Sequence, residues 1–216
     1  YVAGLFDLTG HVGIITGGSR GLGFGQVKVL TDAGATVYNL DLIPHSDEQM
    51  IREGHLIDIR CDVTDYDAVE KVVKEIVEKE GFPQCEGIRE VLEKLHQEGY
   101  LLAVGSSSPE DVIQKVLKDL DLAQFFSAFI SGENMAHPKP APDTFLAAAE
   151  ALLLDPSACM VVEDSTNGGK AAKAAGMSCV WFHNPDSGDQ QIPDAVLEIS
   201  SWDPSSAEKI MKVSEQ

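Results

Sequence analysis

The 216-residue chain lacks the features that mark membrane proteins and nucleic-acid-binding proteins. No apolar run approaches the roughly 20 residues that a bilayer-spanning helix needs. Basic residues are scarce, 16 against 35 acidic ones, and no cluster of them appears. Because phosphate backbones and anionic lipids attract clustered Lys and Arg, the formal charge of −19 argues against nucleic-acid and membrane partners.

Paired cysteine motifs are also missing. The four cysteines, Cys61, Cys85, Cys159 and Cys179, show no CxxC spacing, so neither a zinc site nor a dithiol redox motif is indicated. Three of them lie in or beside predicted strands, where a free Cys behaves as a small buried hydrophobe. With no charged-then-apolar leader at the start, these reduced cysteines predict a cytoplasmic protein. The chain begins at Tyr1 rather than Met, from which we expect a trimmed segment.

Strand and helix patterns alternate along most of the chain. This alternation predicts an α/β fold, a Rossmann-like parallel sheet sandwiched by helices. The alternation breaks after Gly81-Phe82-Pro83, where a second helix follows the first without a strand between them. We therefore predict two half-domains, residues 1–80 and 81–216, joined at this seam. The two halves form either one continuous sheet or two abutting half-domains. Strands are predicted at residues 12–15, 36–40, 56–59, 101–104, 128–130, 159–162, 179–182 and, as a short edge, 196–199.

A glycine-rich turn, Thr16–Gly23, follows the first predicted strand and opens a predicted helix. Such a turn lets the backbone approach a pyrophosphate at the N-terminus of the helix. Asp41 ends the second strand, where its carboxylate can bind a ribose diol and would repel a 2′-phosphate, so NAD is favoured over NADP. The alternative is an ordinary tight turn with a surface Asp. The candidate NAD-binding residues here are Gly17, Ser19, Arg20, Gly21, Leu22, Gly23 and Asp41.

Phe6–Gly10, the glycine-rich turn, Asp41 and Cys61–Thr64 together resemble the opening third of a short-chain dehydrogenase/reductase, over about residues 5–80. The resemblance implies that Asp62 and Val63 flank the adenine. That family's catalytic Tyr-x-x-x-Lys is absent, because none of the four tyrosines is followed by a Lys at the required offset. No Asn-Ala-Gly turn occurs either. We therefore expect no hydride transfer by this mechanism.

Three motifs in the second half, Ala103–Ser106, His137–Asp143 and Val161–Ser165, lie at or near predicted strand ends. Residues 84–203 resemble the haloacid dehalogenase superfamily, especially its β-phosphoglucomutase-like phosphatases and mutases. The resemblance implies that Ser106 holds a phosphoryl oxygen and that Lys139 neutralises the phosphate and the nucleophile. It also implies that Glu163 and Asp164, Asp164 foremost, bind Mg²⁺. A hydroxyl, a cation and hard carboxylates suit Mg²⁺-assisted phosphoryl transfer.

That superfamily's first motif, an Asp-x-Asp after its first strand, has no clear match. Asp65–Asp67 starts a helix and Asp119–Asp121 ends one, so we interpret both as helix caps and solvated charge. Asp7, within Phe6–Gly10, is the serious candidate nucleophile, with Thr9 where the acid/base should stand. For Asp7 to act as the nucleophile, Tyr1–Phe6 would have to form a strand. Alternatively, the same residues lead into the dehydrogenase-like strand, which places Asp7 at the wrong end of the sheet.

These observations support three hypotheses. The first is a recombined, engineered scaffold that binds NAD or phosphate weakly, with little or no catalysis. The alternative is a residual Mg²⁺-dependent phosphatase or phosphomutase that uses Asp7. The third is a structural chimera whose motifs are inert. The expected ligand is a small phosphate-containing molecule or a dinucleotide, and the sequence indicates no oligomeric state.

Overall fold

The protein is known from a computed structural model, which describes residues 7–43 and 55–214. Contacts within the chain divide it into two compact units, residues 1–81 and 82–216. The division falls beside the predicted seam. Among the described helices, none has the length and apolar character to cross a bilayer.

The first unit contains a parallel sheet in the order β1-β2-β3. Ile14 of β1 lies opposite Tyr38 of β2, which lies opposite Ile57 of β3. The central position of β2 explains why it is the most buried of the three strands. The strands are β1 (Val12–Thr16), β2 (Thr36–Asp41) and β3 (Leu56–Arg60), and the helices are Gly21–Asp32 and Tyr66–Glu80.

The core of the first unit lies on both faces of β2. Because successive side chains point to opposite faces of a strand, β2 serves one helix on each face. Val37 packs with Val27 of the first helix, whereas Tyr38 packs with Val72 of the second. Both helices are therefore held against β2, and the glycine-rich turn and Asp41 lie at the carboxyl ends of neighbouring strands.

The second unit contains two parallel sheets, β4-β5 and β6-β7-β8. Ser106 is the last residue of β4 and Glu163 the last of β6, so each sheet ends in a polar residue of the predicted site. The strands are β4 (Ala103–Ser106), β5 (Ala128–Ser131), β6 (Met160–Glu163), β7 (Ser178–Phe182) and β8 (Leu197–Ile199). The helices are Ile88–Gln97, Glu110–Asp119, Asp143–Ala151, Thr166–Ala174 and Pro204–Ser214.

The helix Ile88–Gln97 packs in two hydrophobic clusters of the second unit. Leu92 packs in a cluster with Leu117 of the helix Glu110–Asp119. Val91 packs in the cluster that contains Val180 of β7. A third cluster joins Phe145 to the helix Thr166–Ala174 and the start of β7. These clusters fix the strand ends that carry the polar residues.

The parallel α/β architecture predicted from the sequence is confirmed. Strand β4 is displaced by two residues, since Leu101 is exposed while Gly105 and Ser106 pair with β5. Backbone pairing does not need an apolar side chain, which is why the apolar run misplaced this strand. In the described residues β1 is an edge strand of its three-stranded sheet and pairs with β2.

Candidate functional site

Four predicted site residues come together in the second unit. Ser106, Lys139, Glu163 and Asp164 line an opening of about 310 Å³. Parallel strands present their carboxyl ends at one edge, and ligands of open α/β sheets bind at that edge. The structure thus brings together four residues that span 59 positions of the chain, while their roles stay predictions.

Lys139 joins the two sheets of this unit. Its Nζ donates to Oε1 of Glu163, the last residue of β6, at 2.5 Å and to the Gly105 carbonyl of β4 at 3.2 Å. The same nitrogen lies 4.4 Å from the centroid of the Phe145 ring. Because the Lys139 and Glu163 side chains are only 11% and 10% exposed, this is a buried ion pair with additional hydrogen bonds. Such a pair is costly to break by removing one partner.

Both carboxylate oxygens of Glu163 accept hydrogen bonds. Its Oε2 accepts the backbone N–H groups of Asp164 and Ser165 at 3.2 and 3.1 Å and the Ser165 hydroxyl at 2.8 Å. The carboxylate fits beneath the next helix because residue 168 is glycine; a Cβ there would lie 1.9 Å from the carboxyl carbon of Glu163. Lys139 and the Asp164–Ser165 turn therefore hold both oxygens of Glu163, and the role of Glu163 as a Mg²⁺ ligand stays a prediction.

Asp164 keeps one oxygen free. Its Oδ2 accepts hydrogen bonds from Asn184 Nδ2 at 2.7 Å and from Ser187 Oγ at 2.5 Å. Its Oδ1 makes no hydrogen bond within residues 7–43 and 55–214. Mg²⁺ is usually held by one or two carboxylates together with waters and substrate phosphates. Asp164 fits that role, although no group of three His, Cys, Asp or Glu side chains that could hold a metal is found in the described part of the chain.

Ser106 presents a hydroxyl group to the opening. Its Oγ accepts the N–H of Ser108 at 3.1 Å, and its carbonyl accepts the N–H of Gly132 at 2.6 Å. These bonds fix the residue at the end of β4. A hydroxyl has one donor and two acceptor lone pairs, so the Ser106 hydroxyl can still donate while it accepts from Ser108.

The glycine-rich turn of the first unit has the predicted strand–turn–helix form. Gly17 and Gly21 have φ values of 70° and 60°, which glycine adopts without a steric cost. At Gly23 a Cβ would lie 2.2 Å from the Gly17 carbonyl oxygen, so the helix start and the turn approach closely. Leu22, by contrast, is 92% exposed. Arg20 precedes the helix as its N-cap residue, without a side-chain cap.

The polar groups of this turn mainly bind their own segment. Ser19 N–H donates to Asp41 Oδ2 at 3.2 Å, and Ile43 N–H donates to Oδ1 at 3.2 Å. These bonds, that of Ile43 first, lower the pKa of the Asp41 carboxyl. Gly18 N–H donates to Asn39 Oδ1 at 2.8 Å. Asn39 was missed in the sequence, where a polar residue inside a buried strand was the available signal.

Asp62 and Val63, predicted to flank an adenine, lie just after β3. Asp62 Oδ1 accepts the N–H and the hydroxyl of Thr64 at 3.0 and 2.7 Å. These bonds lower the pKa of the Asp62 carboxyl. Val63 is about half exposed. The pair therefore forms a local turn whose carboxylate is satisfied by Thr64.

Asp7, the candidate nucleophile, is an exposed residue of the first unit. Its Oδ1 accepts the N–H of Thr9 at 2.9 Å, and bonds from Thr9 lower the pKa of the Asp7 carboxyl. The strand that the nucleophile hypothesis requires, Tyr1–Phe6, lies outside the described residues. The role of Asp7 in catalysis stays a prediction.

Comparison with known proteins shows the family of the chain. A family model for haloacid dehalogenase-like hydrolases matches residues 38–182. Hexitol phosphatase B of Escherichia coli is 33% identical over 138 residues, which are 62% of this chain and 62% of that protein. A fructose-1-phosphate phosphatase of the same organism is 40% identical over 79 residues, 37% of this chain and 42% of that one. The chain thus spans less than two thirds of these relatives.

Solved structures show the same fold. A β-phosphoglucomutase-like protein of Thermotoga maritima superposes with a TM-score of 0.62 at 21% identity, covering 94% of this chain and 99% of that one. A haloacid dehalogenase phosphatase of Thermococcus onnurineus gives 0.56 at 26% identity, covering 66% and 64%. These comparisons give no support to a dehydrogenase-like first part, a chimera, an engineered origin or NAD binding. Since the family match runs across the predicted seam and over most of the chain, this protein belongs to the haloacid dehalogenase-like hydrolases.

Proposed function

We propose that the chain binds Mg²⁺ and a small sugar or sugar-alcohol phosphate at the opening in the second unit, and hydrolyses the phosphate monoester. The observation that carries this proposal is the meeting of Ser106, Lys139 and Asp164 around one opening. The hexitol and fructose-1-phosphate phosphatases among the relatives support the substrate class. An opening of about 310 Å³ is at the small end of ligand sites, which favours a small monoester over a dinucleotide.

Each residue has a distinct role in this proposal. Lys139 offsets the negative charge of the phosphate, and Glu163 holds its ammonium group in place. Ser106 donates its hydroxyl hydrogen to a phosphoryl oxygen. Asp164 binds the metal through Oδ1. When bound, Mg²⁺ neutralises charge on the transferring phosphoryl group.

We propose Asp7 as the nucleophile. Its carboxylate oxygen attacks phosphorus, the bond to the sugar oxygen breaks, and water later releases phosphate from the acyl phosphate. An aspartate carboxyl is ionised at neutral pH even at its ordinary pKa, and hydrogen bonds from Thr9 lower the pKa of Asp7 further, so Asp7 is a carboxylate as a nucleophile requires. The departing alkoxide needs a proton, and the Thr9 hydroxyl is too weak an acid to supply it well. Turnover of sugar phosphates is therefore expected to be slow.

The test measures phosphate release from p-nitrophenyl phosphate and from fructose 1-phosphate, with Mg²⁺ and with EDTA. Asp7→Asn and Asp164→Asn should abolish release of both. Thr9→Asp should accelerate hydrolysis of the sugar phosphate about 100-fold, because it supplies a general acid for the departing alkoxide. Hydrolysis of p-nitrophenyl phosphate should change little, because p-nitrophenolate leaves without protonation. Release that survives Asp7→Asn excludes Asp7. If no Mg²⁺-dependent release occurs, the hydrolase proposal fails.

A second candidate function is dinucleotide binding by the first unit. It is favoured by the close approach at Gly23, the helix that begins at Gly21, and the position of Asp41 after β2. The first amides of a helix are unpaired donors that favour phosphate. Fluorescence titration with NADH tests it: saturable binding that Asp41→Ala weakens supports the candidate, and unsaturable binding removes it.

A further inference from the structure

Asp164 is held by a segment that lies after the last residue of β7. Asn184 and Ser187 both donate to the same carboxylate oxygen, Oδ2, at 2.7 and 2.5 Å. Ser187 is the last residue of the short 3₁₀ turn Pro185–Ser187, and Asn184 Oδ1 caps that turn by accepting the N–H of Asp186 at 3.0 Å. One compact turn thus supplies two donors to one oxygen.

The turn is itself fastened to the helix that follows Asp164. Gln190 Nε2 donates to the Ser187 carbonyl at 2.8 Å, and its Oε1 accepts the N–H of Thr166 at 2.9 Å. Gln191 N–H donates to Thr166 Oγ1 at 2.9 Å. Thr166 begins the helix two residues after Asp164. The donors and the carboxylate they orient are therefore tied to the same helix start.

These contacts decide which oxygen of Asp164 is available. Both oxygens of the neighbouring Glu163 already accept hydrogen bonds, Oε1 from Lys139 Nζ and Oε2 from Ser165 and the Asp164 N–H. Asp164 lines the opening with Oδ2 occupied and Oδ1 free among the described contacts. Mg²⁺ demands near-ideal octahedral geometry, so a single carboxylate must be well oriented to bind it.

From this geometry we infer that Asn184 and Ser187 are positioning residues, which fix Asp164 so that Oδ1 binds the divalent cation. The inference rests on the proposed function, in which Asp164 is the metal ligand. Partners that hydrogen-bond a metal-binding carboxylate typically change metal affinity 10–100-fold when removed. The double variant Asn184→Ala/Ser187→Ala should therefore weaken divalent-cation binding at least about tenfold.

The experiment titrates the full chain with Mn²⁺ and measures free Mn²⁺ by electron paramagnetic resonance, without substrate. Ser187→Ala should weaken binding severalfold, and Ser187→Thr, which keeps the hydroxyl, should restore it. The matched control is Ser157→Ala, because Ser157 Oγ donates to Asp155 Oδ1 at 2.6 Å beside another short 3₁₀ turn, outside the residues that line the opening. This control should leave Mn²⁺ affinity unchanged.

The outcomes separate the inference from the proposed function. Asp164→Asn should remove the site; if it leaves Mn²⁺ affinity unchanged, the proposed metal site fails. If Asp164→Asn removes binding but the double variant binds like the parent, the positioning inference is wrong. If the double variant only lowers the melting temperature, Asn184 and Ser187 merely stabilise the turn, which also overturns the inference. Thermal unfolding of every variant, followed by circular dichroism, provides that distinction.

Discussion

The two units place polar groups at the carboxyl ends of parallel strands but use them differently. In the first unit, Asp41 accepts N–H groups from Ser19 and Ile43, so the turn largely satisfies itself from its own backbone. In the second unit, Lys139 pairs with Glu163 and bridges β4 and β6 from a distant segment. The difference teaches that a glycine-rich turn is a local structure, whereas the phosphoryl site depends on the packing of several segments.

The largest expected effect is the loss of the bridging cation. Lys139→Met leaves Glu163 buried without its partner, which should lower the free energy of unfolding of the second unit by about 3–5 kcal/mol. Both tryptophans, Trp181 and Trp202, lie in this unit, so urea unfolding followed by tryptophan fluorescence reports on it.

The control for this variant is Lys173→Met. Lys173 pairs with Asp194 at 2.8 Å on the surface, where both side chains are more than half exposed. Exposed pairs are worth about 0–1 kcal/mol, so this loss should be small. Equal losses of unfolding free energy in the two variants would show that the buried Lys139–Glu163 pair stabilises the second unit no more than an exposed ion pair does.

A smaller effect is expected in the first unit. Gly23→Ala places a Cβ against the Gly17 carbonyl, which should destabilise this unit by about 1–3 kcal/mol despite the better helix propensity of alanine. Gly25→Ala, in the same helix with no heavy atom within 4 Å, should instead stabilise it by about 0.5–1 kcal/mol. Thiol labelling of the buried Cys61 in increasing urea measures the stability of the first unit in both variants. Stability changes of the same sign would contradict the close approach of Gly23 to the Gly17 carbonyl.

Ligand protection tests which unit binds what. Cys179 is buried, and burial raises its pKa to about 11, so it should react with thiol reagents only when the second unit opens. Mg²⁺ and phosphate at about ten times their Kd should slow labelling of Cys179 about tenfold and leave Cys61 unchanged. Peptide mass spectrometry measures each site, with the exposed Cys85 as the internal control. Protection of Cys61 alone would move the phosphate site to the first unit.

The smallest expected effect is a pH dependence. Hydrogen bonds from Ser205 and Ser201 lower the pKa of Asp203 to about 2, where this carboxylate caps the helix Pro204–Ser214. Because the folded pKa lies below the unfolded one of about 3.9, its stabilisation is complete above about pH 4 and is lost as the pH falls towards 2. Asp203→Asn should flatten the melting temperature between pH 4 and 2. An unchanged slope would remove Asp203 as a source of this pH dependence.

Part of the site could be predicted because it depends on strand ends alone. Ser106 and Asp164 follow apolar runs, and parallel strands bring such ends to one edge whatever their separation in the chain. The same logic could have identified Asn184, which follows β7 by two residues. The position of strand ends could not predict the ion pair between Glu163 and Lys139. That pair depends on the Lys139 side chain reaching Glu163 and on the space that Gly168 leaves for the carboxylate.

The seam near residue 81 shows a different limit. The break in strand–helix alternation was local and visible, and the chain does divide beside it. The inference of a dehydrogenase-like origin rested on the short segments around Gly17–Gly23 and Asp41. A glycine-rich turn can form wherever a tight turn joins a strand to a helix. Its presence therefore indicates local structure and does not identify a protein family.

Sequence patterns were enough to predict the parallel α/β fold and to select Ser106, Lys139 and Asp164 as candidate site residues. These follow from hydrophobic periodicity and from the polarity of strands, which are properties of contiguous residues. The ion pair of Glu163 with Lys139 and the hydrogen bonds of Asn184 and Ser187 to Asp164 became visible in the folded chain alone. Those choices depend on distances between side chains far apart in the chain, and packing alone sets such distances.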